Sequence, residues 1–274
     1  MDLSLFAVAF RIGSFSVHWY GVIISISMLI AMFIAYREIL RQHLNPDHFL
    51  DLLLLIIPSA IVGARLYYVL VNWSYYGQHL NEIIMIWKGG SAIHGGIFLV
   101  VVVMLIYCHK KRENFLQWAD IFSVVLILAQ GIGRWGNYIN REAYGPVIQA
   151  DSFWSWMPLQ VYAEGAYHHP LFLYESVMDI AIFFLLFSLI RKPHRYGYIF
   201  SCYLIFYNLG RFFLEYLRND PLMIGPFYAA QLWCAVSILA GALILYATRK
   251  KPVLDVSAPS ARKTEEKKSQ RKKK

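Results

Sequence analysis

The stretch IFSVVLILAQGIGRWGNYINREAYG, Ile121 to Gly145, opens as a run suited to lipid and closes on an arginine set among glycines, asparagines and a glutamate. Its first twelve residues carry no charge. A charged side chain at the centre of a bilayer costs on the order of 3 kcal/mol, so Arg134 needs a partner or a task. Reading outward from this stretch, similar apolar runs recur along most of the chain with short polar breaks between them.

The 274 residues are 58% hydrophobic and 16% charged, against about 25% charged for an ordinary soluble domain. Taking roughly 20 apolar residues per spanning helix, seven spans are read, over 17–36, 50–71, 91–107, 119–139, 171–190, 197–216 and 226–247. The expected fold is an all-α polytopic membrane protein. The first run is too long for the apolar core of a signal peptide and is expected to remain in the mature protein.

Lys and Arg near the spans set the orientation, because they are retained on the cytoplasmic side. Of the loops and ends, one set carries only Arg11, Lys88, Arg141 and Arg218. The alternate set carries 19 basic residues, 8 of them outside the tail. This bias places the N-terminus outside and the C-terminus in the cytoplasm. It leaves 140–170, between helices 4 and 5, as the one sizeable external segment, a small aromatic cap holding Tyr144, Phe153, Trp154, Trp156, Tyr162 and Tyr167. The expected organisation is a membrane domain over 1–247 and a basic, disordered cytoplasmic tail over 248–274. Such a tail has too little apolar surface to order itself, and no aromatic or fold motif links it to nucleic acid.

Cys108, Cys202 and Cys234 lie in or beside spans with no paired external spacing, which fits small packing residues. No internal repeat is visible, which weakens a reading as a duplicated transporter.

The polar residues inside spans are Arg65, His94, Asp120, Arg134, Glu175, Asp179, Arg211 and Glu215. With alternating helix directions, His94, Arg134, Asn137, Arg211 and Glu215 fall toward the outer ends of their helices, which suggests a polar cavity open to the outer leaflet. Tyr207, Arg211, Glu215 and Arg218, spaced 4, 4 and 3 residues apart, share one helix face. Gly131, Gly133 and Gly136 permit either a close helix contact or a loosened helix end around Arg134. A guanidinium there suits bidentate capture of a phosphate, which a lysine cannot reproduce. His94 reads equally as an interhelical hydrogen-bonding residue or a proton acceptor. No spacing around it suggests a metal site.

Together these residues resemble one family, the bacterial prolipoprotein diacylglyceryl transferases. GRWGNYINREAYG from Gly133 to Gly145 is similar to the family signature. HWYG at His18 to Gly21, GARL at Gly63 to Leu66, HGG at His94 to Gly96, HPLFLYES at His169 to Ser176 and the pattern from Tyr207 to Glu215 follow in the same order.

The resemblance implies transfer of the diacylglyceryl group of phosphatidylglycerol to the lipobox cysteine thiol of a preprolipoprotein, in the bacterial plasma membrane. Glycerol 1-phosphate would be released, and neither metal nor cofactor is implied. Arg134 would hold the lipid phosphate, Arg211 would stabilise the leaving phosphate and His94 would take the thiol proton. Tyr20, Asn137, Glu142, Gly145, Tyr207 and Glu215 would complete the phosphatidylglycerol site. The rival reading is an anion or lipid transporter whose arginines bind without chemistry.

Overall fold

A backbone in lipid must satisfy its own N–H and C=O groups, so long apolar runs without interior breaks become helices. The computed structural model, which describes residues 8–13, 15–219 and 221–253, has a helix at each of the seven expected positions: α1 Trp19–Arg41, α2 Pro46–Val71, α3 Ile93–Lys111, α4 Phe115–Asn140, α5 Leu171–Leu189, α6 Tyr198–Leu214 and α7 Ala229–Thr248. Among the described residues, six of these are long and apolar enough to cross a membrane. The exception is α6, which has 17 residues and passes directly into a 3-10 turn over Glu215–Leu217.

Helix ends run past the apolar runs where local chemistry supports them. At the start of α2, Asn45 accepts from the Asp47 N–H at 2.9 Å and Pro46 occupies the first turn, where its missing N–H costs nothing. The all-α reading omits three short antiparallel hairpins: β1 Val8–Ile12 with β2 Phe15–His18, β3 Val161–Ala163 with β4 Ala166–His168, and β5 Met223–Ile224 with β6 Phe227–Tyr228. Strands of two to five residues are too short to show alternation beside runs of 20 apolar residues. Of the expected tail, 254–274 lies outside the described residues.

The described residues form two compact units, one within Met1–Gln42 and Ala119–Lys274 and the other His43–Trp118. In the second unit α2 and α3 cross backbone to backbone. A Cβ on Gly63 would meet the Gly95 carbonyl, and one on Gly96 would meet the Ala60 carbonyl. In the first unit α6 and α7 meet at Gly241, where a Cβ would lie 3.0 Å from the Ser201 carbonyl. Small residues at such crossings let apolar helices gain dispersion contacts where no hydrophobic drive between helices exists. Ile121, Ile127, Leu171, Leu186 and Ile199 are buried, while Leu54, Leu70, Phe98, Phe184 and Leu243 point outward, as side chains that meet lipid do.

Candidate functional site

In the first unit, α4, α5 and α6 each bring charge to one cluster. Arg134 of α4 pairs through Nε with Glu175 Oε2 of α5 at 2.5 Å. Arg211 of α6 donates from Nη1 to the other oxygen of Glu175 at 2.6 Å and pairs through Nη2 with Glu215 Oε2 at 2.6 Å. Arg134 Nη2 donates to the Tyr207 hydroxyl at 3.4 Å. One carboxylate thus bridges two guanidiniums, and a second holds the far side of Arg211. Of the expected helix face of Tyr207, Arg211, Glu215 and Arg218, the first three come together, since the 3-10 turn after α6 keeps Glu215 in reach of Arg211, while Arg218 is the extended residue that ends this turn.

Burial is uneven across this cluster. The Arg134 and Arg211 side chains retain 21% and 12% of their surface, against 6% for Glu175 and 2% for Glu215. The two arginine side chains therefore retain more accessible surface than the two carboxylate side chains paired with them. In a low-dielectric interior, removing one partner of such a pair leaves an uncompensated charge, at a cost of about 3–5 kcal/mol. Asp179, one turn along α5, is fully buried, and neither of its carboxyl oxygens has a hydrogen-bond partner among the described residues.

The scaffold around Arg134 is continuous helix. α4 runs unbroken to Asn140, so of the two roles open to the glycines the close helix contact is formed and the loosened end is not. A Cβ on Gly131 would lie 3.1 Å from Asp179 Cβ, and one on Gly136 would lie 2.5 Å from the Tyr20 ring. Trp135 Nε1 donates to Ser176 Oγ at 3.2 Å and the Tyr138 ring stacks on Phe172 at 4.6 Å, which locks the end of α4 onto the start of α5.

Tyr20 is thereby seated on the signature helix at Gly136. Past the helix end, the Glu142 N–H donates to the Asn137 carbonyl at 3.0 Å, and the exposed Glu142 carboxylate accepts from Asn140 Nδ2 at 3.3 Å. Gly145 donates its N–H to the His169 carbonyl at 3.0 Å, and its own carbonyl lies 2.9 Å from His168 Nδ1. A Cβ at Gly145 would fall 2.9 Å from His169 Cβ, so the close of the signature is tied to β4. Glu142 and Gly145 thus belong to the loop after α4, while Arg134, Tyr207, Arg211 and Glu215 form the charged cluster.

His94 lies in the second unit, as the second residue of α3 and directly before the Gly95–Gly63 crossing. Its approach segment is held by Arg65. That guanidinium donates to the carbonyls of Glu82, Ile83, Gly89 and Gly90 at 2.6–2.8 Å and lies 5.1 Å from the centre of the Tyr76 ring. Gly90 has φ 79°, and a Cβ there would press on Tyr68 and on Arg65 itself. Arg65, one of the polar residues read inside spans, organises a loop through neutral carbonyls.

Spacing gave no role to Glu175, the hub of the cluster, although it stands in the HPLFLYES motif. A signal was present: an acidic residue in an apolar span four residues before a second one. Pairing it with two arginines from other helices required the fold.

The family model described as prolipoprotein diacylglyceryl transferase matches residues 7–247. A phosphatidylglycerol–prolipoprotein diacylglyceryl transferase of Limosilactobacillus reuteri (strain DSM 20016) is 43% identical over 253 residues, covering 90% of this chain and 92% of the relative. A protein of the same name from Bacillus velezensis is 41% identical over 255 residues, covering 90% and 94%. Another from Pediococcus pentosaceus is 40% identical over 261 residues, covering 92% and 94%.

Proposed function

The chain belongs to the prolipoprotein diacylglyceryl transferase family, and from that premise we propose that it transfers the diacylglyceryl group of phosphatidylglycerol to the lipobox cysteine of exported preprolipoproteins. The cysteine sulfur forms a bond to the glyceryl carbon as that carbon's bond to the phosphate oxygen breaks. The thiol proton passes to a base, and glycerol 1-phosphate leaves with the electron pair. Two demands follow: negative charge growing on the leaving phosphate must be met, and a thiolate must be generated.

The observation that carries this reading is the convergence of Arg134 and Arg211, from separate helices, on the one carboxylate of Glu175, with both arginine side chains more exposed than that of Glu175. Arg134 holds the lipid phosphate through its planar fork, and Arg211 stabilises the phosphate as it leaves. Tyr20, Asn137, Glu142, Gly145, Tyr207 and Glu215 complete the phosphatidylglycerol site. His94 accepts the thiol proton. The reading also takes α6 with its 3-10 extension as a seventh span, the N-terminus outside, the C-terminus and basic tail cytoplasmic, and 140–170 as an external cap, all in the bacterial plasma membrane.

The test is to incubate purified protein with phosphatidylglycerol vesicles and a lipobox peptide. The expected result is a peptide heavier by one diacylglyceryl group, with glycerol 1-phosphate released in equal amount. An unmodified peptide, with lipid or anion instead moved across the vesicle wall, would replace this reading with a transporter.

A further inference from the structure

Glu175 touches both arginines assigned to the phosphate, and it does so with a different oxygen for each: Oε2 toward Arg134 at 2.5 Å and Oε1 toward Arg211 at 2.6 Å. Two guanidiniums this close to one point repel each other, and in a water-poor interior that repulsion is weakly screened. The bridging carboxylate is what lets them share the point.

The division of donors matters next. Arg134 faces Glu175 through Nε as an ion pair, and among the described residues its Nη2 donates to the Tyr207 hydroxyl at 3.4 Å. Arg211 is gripped at Nη1 by Glu175 and at Nη2 by Glu215, while each of those nitrogens keeps a second N–H. Both arginines can therefore donate to an incoming oxygen without leaving Glu175. Glu175 keeps 6% of its side-chain surface against 21% and 12% for the arginines, so the arginines are the members of the cluster with more surface open to an incoming anion.

We propose that Glu175 is a positioning residue for phosphate recognition, whose carboxylate sets the spacing of Arg134 and Arg211 so that one phosphate engages both. This rests on the reading of those two arginines as the phosphate site. A carboxylate in that place strengthens the site by ordering it, although its own charge opposes an anion. The fixed geometry outweighs the repulsion because the forks are held before the lipid arrives.

The test measures transfer from phosphatidylglycerol vesicles to a lipobox peptide, varying each substrate in turn, for wild type, Glu175→Gln, Glu175→Asp and Arg134→Lys. Glu175→Gln keeps the shape but loses the charge and one acceptor oxygen. It is expected to lose about 100-fold in kcat/KM for phosphatidylglycerol while KM for the peptide stays unchanged. Glu175→Asp keeps the charge on a side chain one methylene shorter. It is expected to recover part of the loss, about 10-fold below wild type, and it carries the test if Glu175→Gln does not fold. Wild-type kinetics toward phosphatidylglycerol in either folded variant overturns the proposal, as does an equal loss toward both substrates, which marks a merely structural residue. If Arg134→Lys is inactive while the Glu175 variants are not, only this inference falls. Full activity in Arg134→Lys overturns the phosphate site and this inference together.

Discussion

At the scale of single residues, the chemistry depends on side-chain shape as much as on charge. Lysine at position 134 would keep the positive charge but lose the planar fork that reaches Glu175 and Tyr207 together. Arg134→Lys is expected to lower turnover about 100-fold with the fold retained, read as label transferred from lipid to peptide alongside an unfolding curve. Wild-type turnover would remove the phosphate clamp. For His94→Gln a large rate loss is expected, partly relieved as pH rises toward the ordinary cysteine pKa of about 8.5, where the substrate thiol ionises unaided. A defect of constant size from pH 7 to 9 would instead make His94 a packing residue of the α2–α3 crossing.

At the scale of elements, two links between helices are held by side chains that do no chemistry. Arg65 ties the segment before α3 through four carbonyls. A lysine, with a single nitrogen at the end of its stem, cannot span them. Arg65→Lys should destabilise the fold by about 2 kcal/mol or more and make the 77–90 segment an early site of protease cutting. Unchanged stability and protection would show that the loop holds without the guanidinium.

The link between α5 and α6 contains buried His194, whose Nδ1 lies 2.7 Å from the Lys192 carbonyl and whose Nε2 lies 3.9 Å from Asp120 Oδ2. Asp120 in turn accepts from the Gly197 and Phe200 N–H groups at 2.7 Å, which anchors the start of α6. Burial lowers the His194 pKa below its ordinary 6.5; the Lys192 carbonyl and Glu38 oppose this, and Arg41 reinforces it. The unfolded chain therefore takes up the proton first as pH falls. Stability is full above about pH 6.5 and is lost as pH drops toward the lowered folded value. In detergent, the unfolding temperature should fall between pH 7.5 and 5.5, and His194→Gln should flatten that slope. An equal slope in both proteins would assign the pH dependence elsewhere.

At the scale of the whole molecule, the distribution of basic residues decides which ends face the cell interior. A cysteine at exposed Ser155, in the 140–170 segment, is expected to react with an impermeant maleimide in intact cells. One at exposed Lys192, between α5 and α6, should react only after the membrane is opened. The reverse pattern would invert the orientation and move the arginine cluster to the cytoplasmic side, where an exported substrate could not meet it.

Much of this was legible in sequence, because lipid imposes a simple rule: apolar runs of membrane length become helices that satisfy their own backbone. That rule accounts for the six helices long and apolar enough to cross a membrane, while α6 is shorter, and 3.6-residue periodicity places Tyr207, Arg211 and Glu215 on one face. It says nothing about the three hairpins, whose strands are shorter than any periodic signal. Nor can it separate Arg65 from Arg134, since both are arginines in apolar surroundings. Tertiary structure decides between them: Arg65 lies within reach of four carbonyls of its own unit, while Arg134 lies beside a carboxylate from α5 that also holds Arg211. The hub role of Glu175 is likewise a tertiary fact, because a bridging carboxylate is defined by residues 41 positions before it and 36 after it, and only helix packing brings them to one point.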